Sequence, residues 1–288
     1  MLNGGILNRA CPQCDSRRHK PLEPYSVDRW HVVECADCGF VYLQDPPDYS
    51  RLVSEFAWEK TRAQEVERRR TARPVLKRLD EGTRWRSALF SSSPAKQFGK
   101  MFPPGQVLDV GCGGGKKIPP PFIPFGIEIS EELARLAHEH MSKRGGECLN
   151  APAVEGIARF PDESFSGVLL RSFLEHEAEP KALLRHAARV LAPDGTIFVR
   201  VPNYGSVNRR VLAGKWCGFR YPDHVNYFTL RSLKRMAGEC GLTVHLVNAL
   251  LHPFKDNINA LLRKNPSSHG AARSGQDLTS GSSQSQAL

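Results

Sequence analysis

The sequence predicts an α/β protein: one open, largely parallel β-sheet with helices on both faces, preceded by a small cysteine-bearing module. Three observations predict it. Val107-Leu-Asp-Val110, a short apolar run rich in β-branched residues, ends at once in a turn holding Gly111, Gly113, Gly114 and Gly115. A second apolar run, Phe125-Gly-Ile-Glu-Ile129, closes near an acid. Strand-like and helix-like segments then alternate to about residue 247, which is how a parallel sheet with crossover helices reads. The 288 residues allow one large domain and a small module, and a 40% hydrophobic content allows a proper core.

Residues 1–48 form the small module. Four of the eight cysteines fall as Cys11-Pro-Gln-Cys14 and Cys35-Ala-Asp-Cys38, with 20 residues between the pairs. Two such knuckles can place four thiolates around one Zn2+, and a site closed by four protein ligands is structural. Trp30–Val33 is expected as the strand entering the second knuckle, Phe40–Leu43 as the strand leaving it, and Gly39 as the turn between them. The competing reading is disulfides or idle thiols. No stretch is long and apolar enough to span a bilayer, and the N-terminus lacks a signal-peptide pattern, so a cytoplasmic protein with reduced cysteines is expected. Cys112, Cys148, Cys217 and Cys240 have no metal-ligand spacing.

Residues 49–98 read as a basic helical connector. Of the net charge of +10, ten Lys/Arg against four Asp/Glu between Lys60 and Arg86 supply +6. Such a patch fits a polyanion such as RNA, or more simply a solvated helix face, which is the preferred reading. Pro74 breaks or restarts the helix.

The glycines run Gly-x-Gly-x-Gly, whereas pyrophosphate binding uses Gly-x-Gly-x-x-Gly. Asp109, just before them, would repel a pyrophosphate and suits a cationic ligand. Glu128 lies 19 positions after Asp109, the spacing of an acid that takes the hydroxyls of a ribose. This stretch resembles motif I of the class I S-adenosyl-L-methionine (SAM)-dependent methyltransferases, and the later pattern Trp216 … Pro222-x-His224 … Phe228-Thr, followed by a helix and Cys240-Gly-Leu, resembles a branch related to the ubiquinone and sugar methyltransferases. The resemblance extends over roughly residues 8–248. It implies a Rossmann-like sheet in a methyltransferase domain at 99–250. It also implies a SAM site drawing on Asp109, Gly111, Gly113, Gly115, Glu128, Ile129 and Ser172. Two departures stand out. Lys116–Pro124 is proline-filled where the family has a helix, so an irregular crossover is expected. Ser166 stands where the family often has Asp. Glu155 is a weak candidate for the acid that meets the adenine.

Ser130 should cap a helix running to about Lys143. Strand four is expected at Gly167–Leu170, a helix at Lys181–Leu191, strand five at Thr196–Val201 and strand six at Leu242–Val247. Between strand four and that helix, Leu174-Glu-His176 followed by Pro180 resembles a segment of many small-molecule methyltransferases. His176 either accepts a substrate proton or caps the next helix together with Glu175. After Asn203 comes a connection of about 25 residues, rich in aromatic and basic side chains, which reads as a substrate lid. His224 in it is the second candidate base, or else a cap for a helix starting near Thr229. Nothing after Ala249 alternates well enough for a seventh strand, so the sheet is expected to stop at six strands or to leave an edge through which the chain oligomerises. Residues 251–288 read as a C-terminal helix and a disordered tail.

The resemblance implies methyl transfer to a small-molecule or glycan acceptor, with His176 or His224 as base. Two alternatives stay open: an RNA methyltransferase that grips phosphates with the ribbon and connector, and a catalytically degenerate SAM fold serving as an interaction module.

Overall fold

The computed structural model describes residues 9–47, 94–247 and 249–265. The basic run at 60–86 and the tail from 266 lie outside them. Five strands run parallel: β4 (Gln106–Val110), β5 (Ile123–Glu128), β6 (Cys148–Asn150), β7 (Phe165–Arg171) and β8 (Leu191–Pro202). With β10 (Leu242–Leu246) and β11 (Asn257–Lys264) they form a seven-stranded sheet in the order β6-β5-β4-β7-β8-β11-β10. The chain order reverses between β4 and β7. In an open α/β sheet that is where a crevice opens at the carboxyl ends of the strands.

Side chains alternate across each strand, so a doubly covered sheet buries both sets. Leu108 of β4 and Val168 and Leu170 of β7 pack with Ile157, Leu183, Leu184, Leu233 and Met236. Those partners belong to α3 (Ala153–Ala158), α4 (Pro180–Val190) and α6 (Leu230–Glu239). Val107 and Leu169 turn to the other face, against Phe102 and Phe98 at α1 (Pro94–Met101). The β4–β5 crossover contains no helix, as its prolines require. Ile118 and Phe122 are buried there, and their carbonyls accept bonds from the Arg144 guanidinium, the first at 2.7 Å. Arg144 follows α2 (Glu131–Ser142), which Ser130 caps through Leu133 N.

The expectation of a six-stranded sheet is overturned. β11 is the seventh strand, antiparallel to both β8 and β10, with Ile258 opposite Val201, Ala260 opposite Val199 and Leu262 opposite Ile197. Those three residues are fully buried, so the alternation exists. It is masked in the sequence by helix-favouring Ala, Leu, Arg and Lys, and tertiary pairing overrides that weak propensity. The expected C-terminal helix is a single 3-10 stretch, Ala249–Phe254, leading into this strand. β11 fills the place between β8 and β10, and β10 is the edge strand on that side. Among the described residues no helix is long and apolar enough to cross a membrane.

The N-terminal module folds as β1 (His19–Pro21), β2 (Val32–Cys35) and β3 (Val41–Leu43), all antiparallel. A fourth strand comes from the far end of the chain. β9 (Asn226–Tyr227), in the connection after Asn203, pairs Tyr227 with Val41 and Asn226 with Tyr42. That connection, which carries α5 (Val207–Leu212), is therefore a packed element and not a lid. Trp216, Phe219 and Tyr227 are buried against Val32, Val41 and Leu43. The module also shares the main core through Cys11, Phe40 and Tyr42.

Asn226 fastens the two parts. Its buried side-chain amide donates to the carbonyls of Leu174 and Glu177, each at 2.7 Å, and its oxygen accepts from Arg9 at 3.0 Å. Arg9 also donates to the carbonyls of Leu43, Ala178 and Val225. An Asn226→Ala change strands two buried carbonyls, each worth about 1–3 kcal/mol. We expect a loss of about 2–4 kcal/mol, read from the urea midpoint at unchanged m-value.

Candidate active site

The glycine turn sits at the carboxyl end of β4. Gly111, Gly113 and Gly115 have φ of +69°, +58° and +74°, values that side-chain-bearing residues rarely adopt. A Cβ on Gly111 would lie 2.5 Å from the Phe173 ring, and one on Gly115 2.9 Å from Ala137 Cα. A Cβ on Gly113 or Gly114 would meet nothing within 4 Å, so the middle of the turn is open to a ligand. Glu128, at the end of the neighbouring strand β5, accepts from Gly113 N at 2.8 Å and from Ser130 N at 3.1 Å. A carboxylate has lone pairs left after two such bonds, so the pinned group keeps capacity for a diol. Asn150 donates to the carbonyls of Glu128 and Ile129 and holds that strand end in place. Ser172, at the end of β7, has φ +55° and donates its amide to the Arg200 carbonyl at 2.8 Å. Glu155 is exposed in the first turn of α3.

Asp109 is buried, and neither carboxylate oxygen has a hydrogen bond of good geometry among the described residues. Lys117 Nζ lies 3.2 Å from Oδ2 as an ion pair while donating to the Gly111 carbonyl. Burial pushes the Asp109 carboxyl up to about 6, and Lys117 holds it back from rising further. A buried anion under an open glycine turn fits a cationic ligand, as the methionine end of SAM would present. The residues present thus fit the cofactor.

The two candidate histidines, far apart in sequence, stand together. Their ring centroids are 4.8 Å apart, edge to face. His176 Nδ1 donates to the Asp223 carbonyl at 2.8 Å, and His224 Nδ1 to the Gly218 carbonyl at 2.7 Å. A carbonyl only accepts, so each ring carries a proton on Nδ1 and turns Nε2 away from that bond. Burial, with the nearby Arg220 charge, pulls His176 down to about 4. Glu175 is buried as well, and burial pushes its carboxyl up to about 8 against the pull of its own amide, Arg200 and Arg220. Arg220 pairs with Asp223 at 2.6 Å. Neither histidine caps a helix. Glu179 occupies the N-cap of α4, and Thr229 caps α6 through a capping box with Ser232.

The four cysteine sulfurs lie within 4.8 Å of one another and none is in a disulfide. Cys11 Sγ is 3.5 Å from Cys38 Sγ, and Cys14 Sγ 3.6 Å from Cys35 Sγ. Tetrahedral zinc with bonds of about 2.3 Å needs sulfur separations of about 3.8 Å, so the donor set fits that ion. Asp45 Oδ2 lies 2.7 Å from His31 Nδ1 in this module.

The sequence pointed to both histidines, the glycine turn and the cysteines, but not to Asn226, Arg9, Arg220 or Asp223. The one available signal was Asn226 and Arg220 lying in the same aromatic connection as His224.

Strand order, glycine turn and strand-end acid define a class I SAM-dependent methyltransferase. A family described as a methyltransferase domain matches residues 83–247, and the chain belongs to it. An uncharacterized protein of Methanocaldococcus jannaschii is 26% identical over 167 residues, covering 57% of this chain and 78% of that protein. A ubiquinone biosynthesis O-methyltransferase of Idiomarina loihiensis is 32% identical over 163 residues, 52% of this chain and 67% of that one. The enzyme of the same name from Xanthomonas campestris is 33% identical over 107 residues, 35% and 44% of the two chains, so less than half of that relative is spanned.

Two outcomes are expected. Glu128→Ala weakens SAM binding in calorimetry by about 1–3 kcal/mol, the range of a lost charge-assisted hydrogen bond. Asp109 is held in the fold with a pKa above its ordinary 3.8. Its ionised form is therefore the penalised one: the cost is absent below about pH 4, grows as pH rises, and is complete above about pH 6. Asp109→Asn should accordingly be more stable than wild type at pH 7 by up to about 3 kcal/mol, with little difference at pH 4, in urea titrations, while binding SAM less well.

Proposed function

We propose that this chain methylates a hydroxyl oxygen of a small-molecule or glycan acceptor. SAM, when bound, supplies a methyl group activated by its sulfonium. Asp109, Gly111, Gly113, Gly115, Glu128, Ile129 and Ser172 would hold it at the carboxyl edge of β4, β5 and β7. His176 and His224 stand at the same edge of the sheet, in or against the loop that follows β7. The observation that carries the proposal is this imidazole pair, His176 half-buried and His224 buried, with both Nδ1 protons committed to backbone carbonyls. A neutral imidazole that keeps its lone pair on Nε2 can take the acceptor's hydroxyl proton as the O–CH3 bond forms and the S–CH3 bond breaks, its electron pair returning to sulfur. The chain's other contributions are alignment and exclusion of water. Relatives named for O-methylation support oxygen as the acceptor atom. Cys11, Cys14, Cys35 and Cys38 would hold a structural zinc that steadies the module behind His224.

The RNA alternative leans on the basic run at 60–86, outside the described residues. A missing seventh strand would favour the interaction-module alternative, and β11 supplies that strand.

The test is transfer of labelled methyl from SAM to a panel of phenols and sugar hydroxyls, with total RNA in parallel. We expect label in a small hydroxylated acceptor and none in RNA, with His176→Ala lowering the rate about 100-fold or more. Label confined to RNA would overturn the acceptor class. A folded chain that binds SAM and labels nothing would favour the interaction module.

A further inference from the structure

Glu175, His176 and His224 each offer a ligand atom, and these atoms lie within 4.8 Å of one another. We propose that the three side chains bind one divalent transition-metal ion, separate from the four-cysteine site, and that this ion takes the acceptor's hydroxyl oxygen as a further ligand. The inference rests on the methyl-transfer reading for the ion's role, though not for its binding, and within that reading it replaces the histidine base by the ion.

Three observations carry it. Two imidazoles and one carboxylate are a recurrent donor set for Zn2+ and Fe2+. Both rings have the outer shell of metal-bound histidines: each commits Nδ1–H to a backbone carbonyl, Asp223 for His176 and Gly218 for His224, which orients Nε2 as the donor atom. Glu175 Oε2 is fully buried and has no hydrogen-bond partner among the described residues. A buried carboxylate oxygen in that state is costly unless a positive charge meets it. Arg200 and Arg220 are the cations that act on the Glu175 carboxyl, and Arg220 is already paired with Asp223 at 2.6 Å.

Metal–ligand bonds of about 2.1 Å call for donor separations of about 3.0–3.4 Å, which lie inside the 4.8 Å that bounds these atoms, and three protein ligands leave open positions. An acceptor hydroxyl bound there becomes more acidic by direct coordination. Its proton leaves to solvent, the oxygen's electron pair forms the O–CH3 bond, and the S–CH3 pair returns to sulfur. On this view the histidines act through the ion and do not accept the proton themselves. The four-cysteine site cannot do this, since its protein ligands leave no open position.

The experiment is a Co2+ titration of the full zinc-loaded chain followed by visible absorption. Weak d–d bands of an imidazole–carboxylate site saturating at one equivalent, without thiolate charge-transfer bands, are expected. Glu175→Gln and His224→Ala should each weaken that binding about 100-fold. Both variants are first shown to keep their zinc and their affinity for SAM, which establishes that they are folded. Absence of Co2+ uptake by a folded, SAM-binding wild-type chain would overturn the metal site and leave the histidine-base reading standing, with Arg200 as the charge partner of Glu175. Equal Co2+ affinity in wild type and both variants would also overturn it. Co2+ binding in a chain that ignores SAM would uphold the site and remove the methyl-transfer reading.

Discussion

The amides of Val225 and Asn226 converge on one acceptor, the backbone carbonyl of Glu175, at 2.8 and 3.1 Å. Around that point Asn226 bonds the carbonyls on either side, and Arg9 bonds Asn226. The rest of the proposed acceptor site depends on this knot. It fixes the loop after β7, which carries Glu175 and His176, against the segment that carries His224. Neither segment could hold that position alone, because each is irregular backbone whose polar groups need partners once buried. The N-terminal module supplies the third side, since β9 is at once the tail of the His224 segment and the fourth strand of the ribbon sheet. A module that looks like an appendage in sequence is therefore packed against the segment that carries His224.

The other half of the site works by local means. The glycine turn needs no distant support, since positive φ, close packing of Phe173 and Ala137 and the Glu128–Gly113 bond all arise within or next to adjoining strands. Its burden is electrostatic. Asp109 is buried as an anion, a state that the fold opposes and Lys117 only partly relieves. Such a group is costly to stability and useful to a cationic ligand, as functional sites often are.

This division explains what could be read from the sequence. The turn, the acid 19 positions on and the paired Cys-x-x-Cys knuckles were legible because spacing alone determines what they can do. Ser130 and the helices around it were legible because capping and periodicity are local. β11 was not, since Asn257–Lys264 has a composition that favours helix and becomes a strand only between β8 and β10. The two histidines could be nominated one at a time, but nothing in the sequence brings His176 to His224. Their meeting depends on Asn226, whose partners are distant carbonyls that no pattern of side chains records. The aromatic connection was read as a lid because its composition suits one, whereas in the fold Trp216 and Phe219 serve as core against the ribbon.

In this structure the cysteine module braces the proposed acceptor half of the site, while the cofactor half stands by itself. Amide hydrogen exchange, compared between the zinc-loaded chain and the chain stripped by a chelator, separates the two halves. Loss of zinc is expected to strip protection from the amides of Val225 and Asn226 while those of β4 and β5 keep theirs. Unchanged protection at Val225 and Asn226, in a chain shown to have lost its zinc, would contradict it.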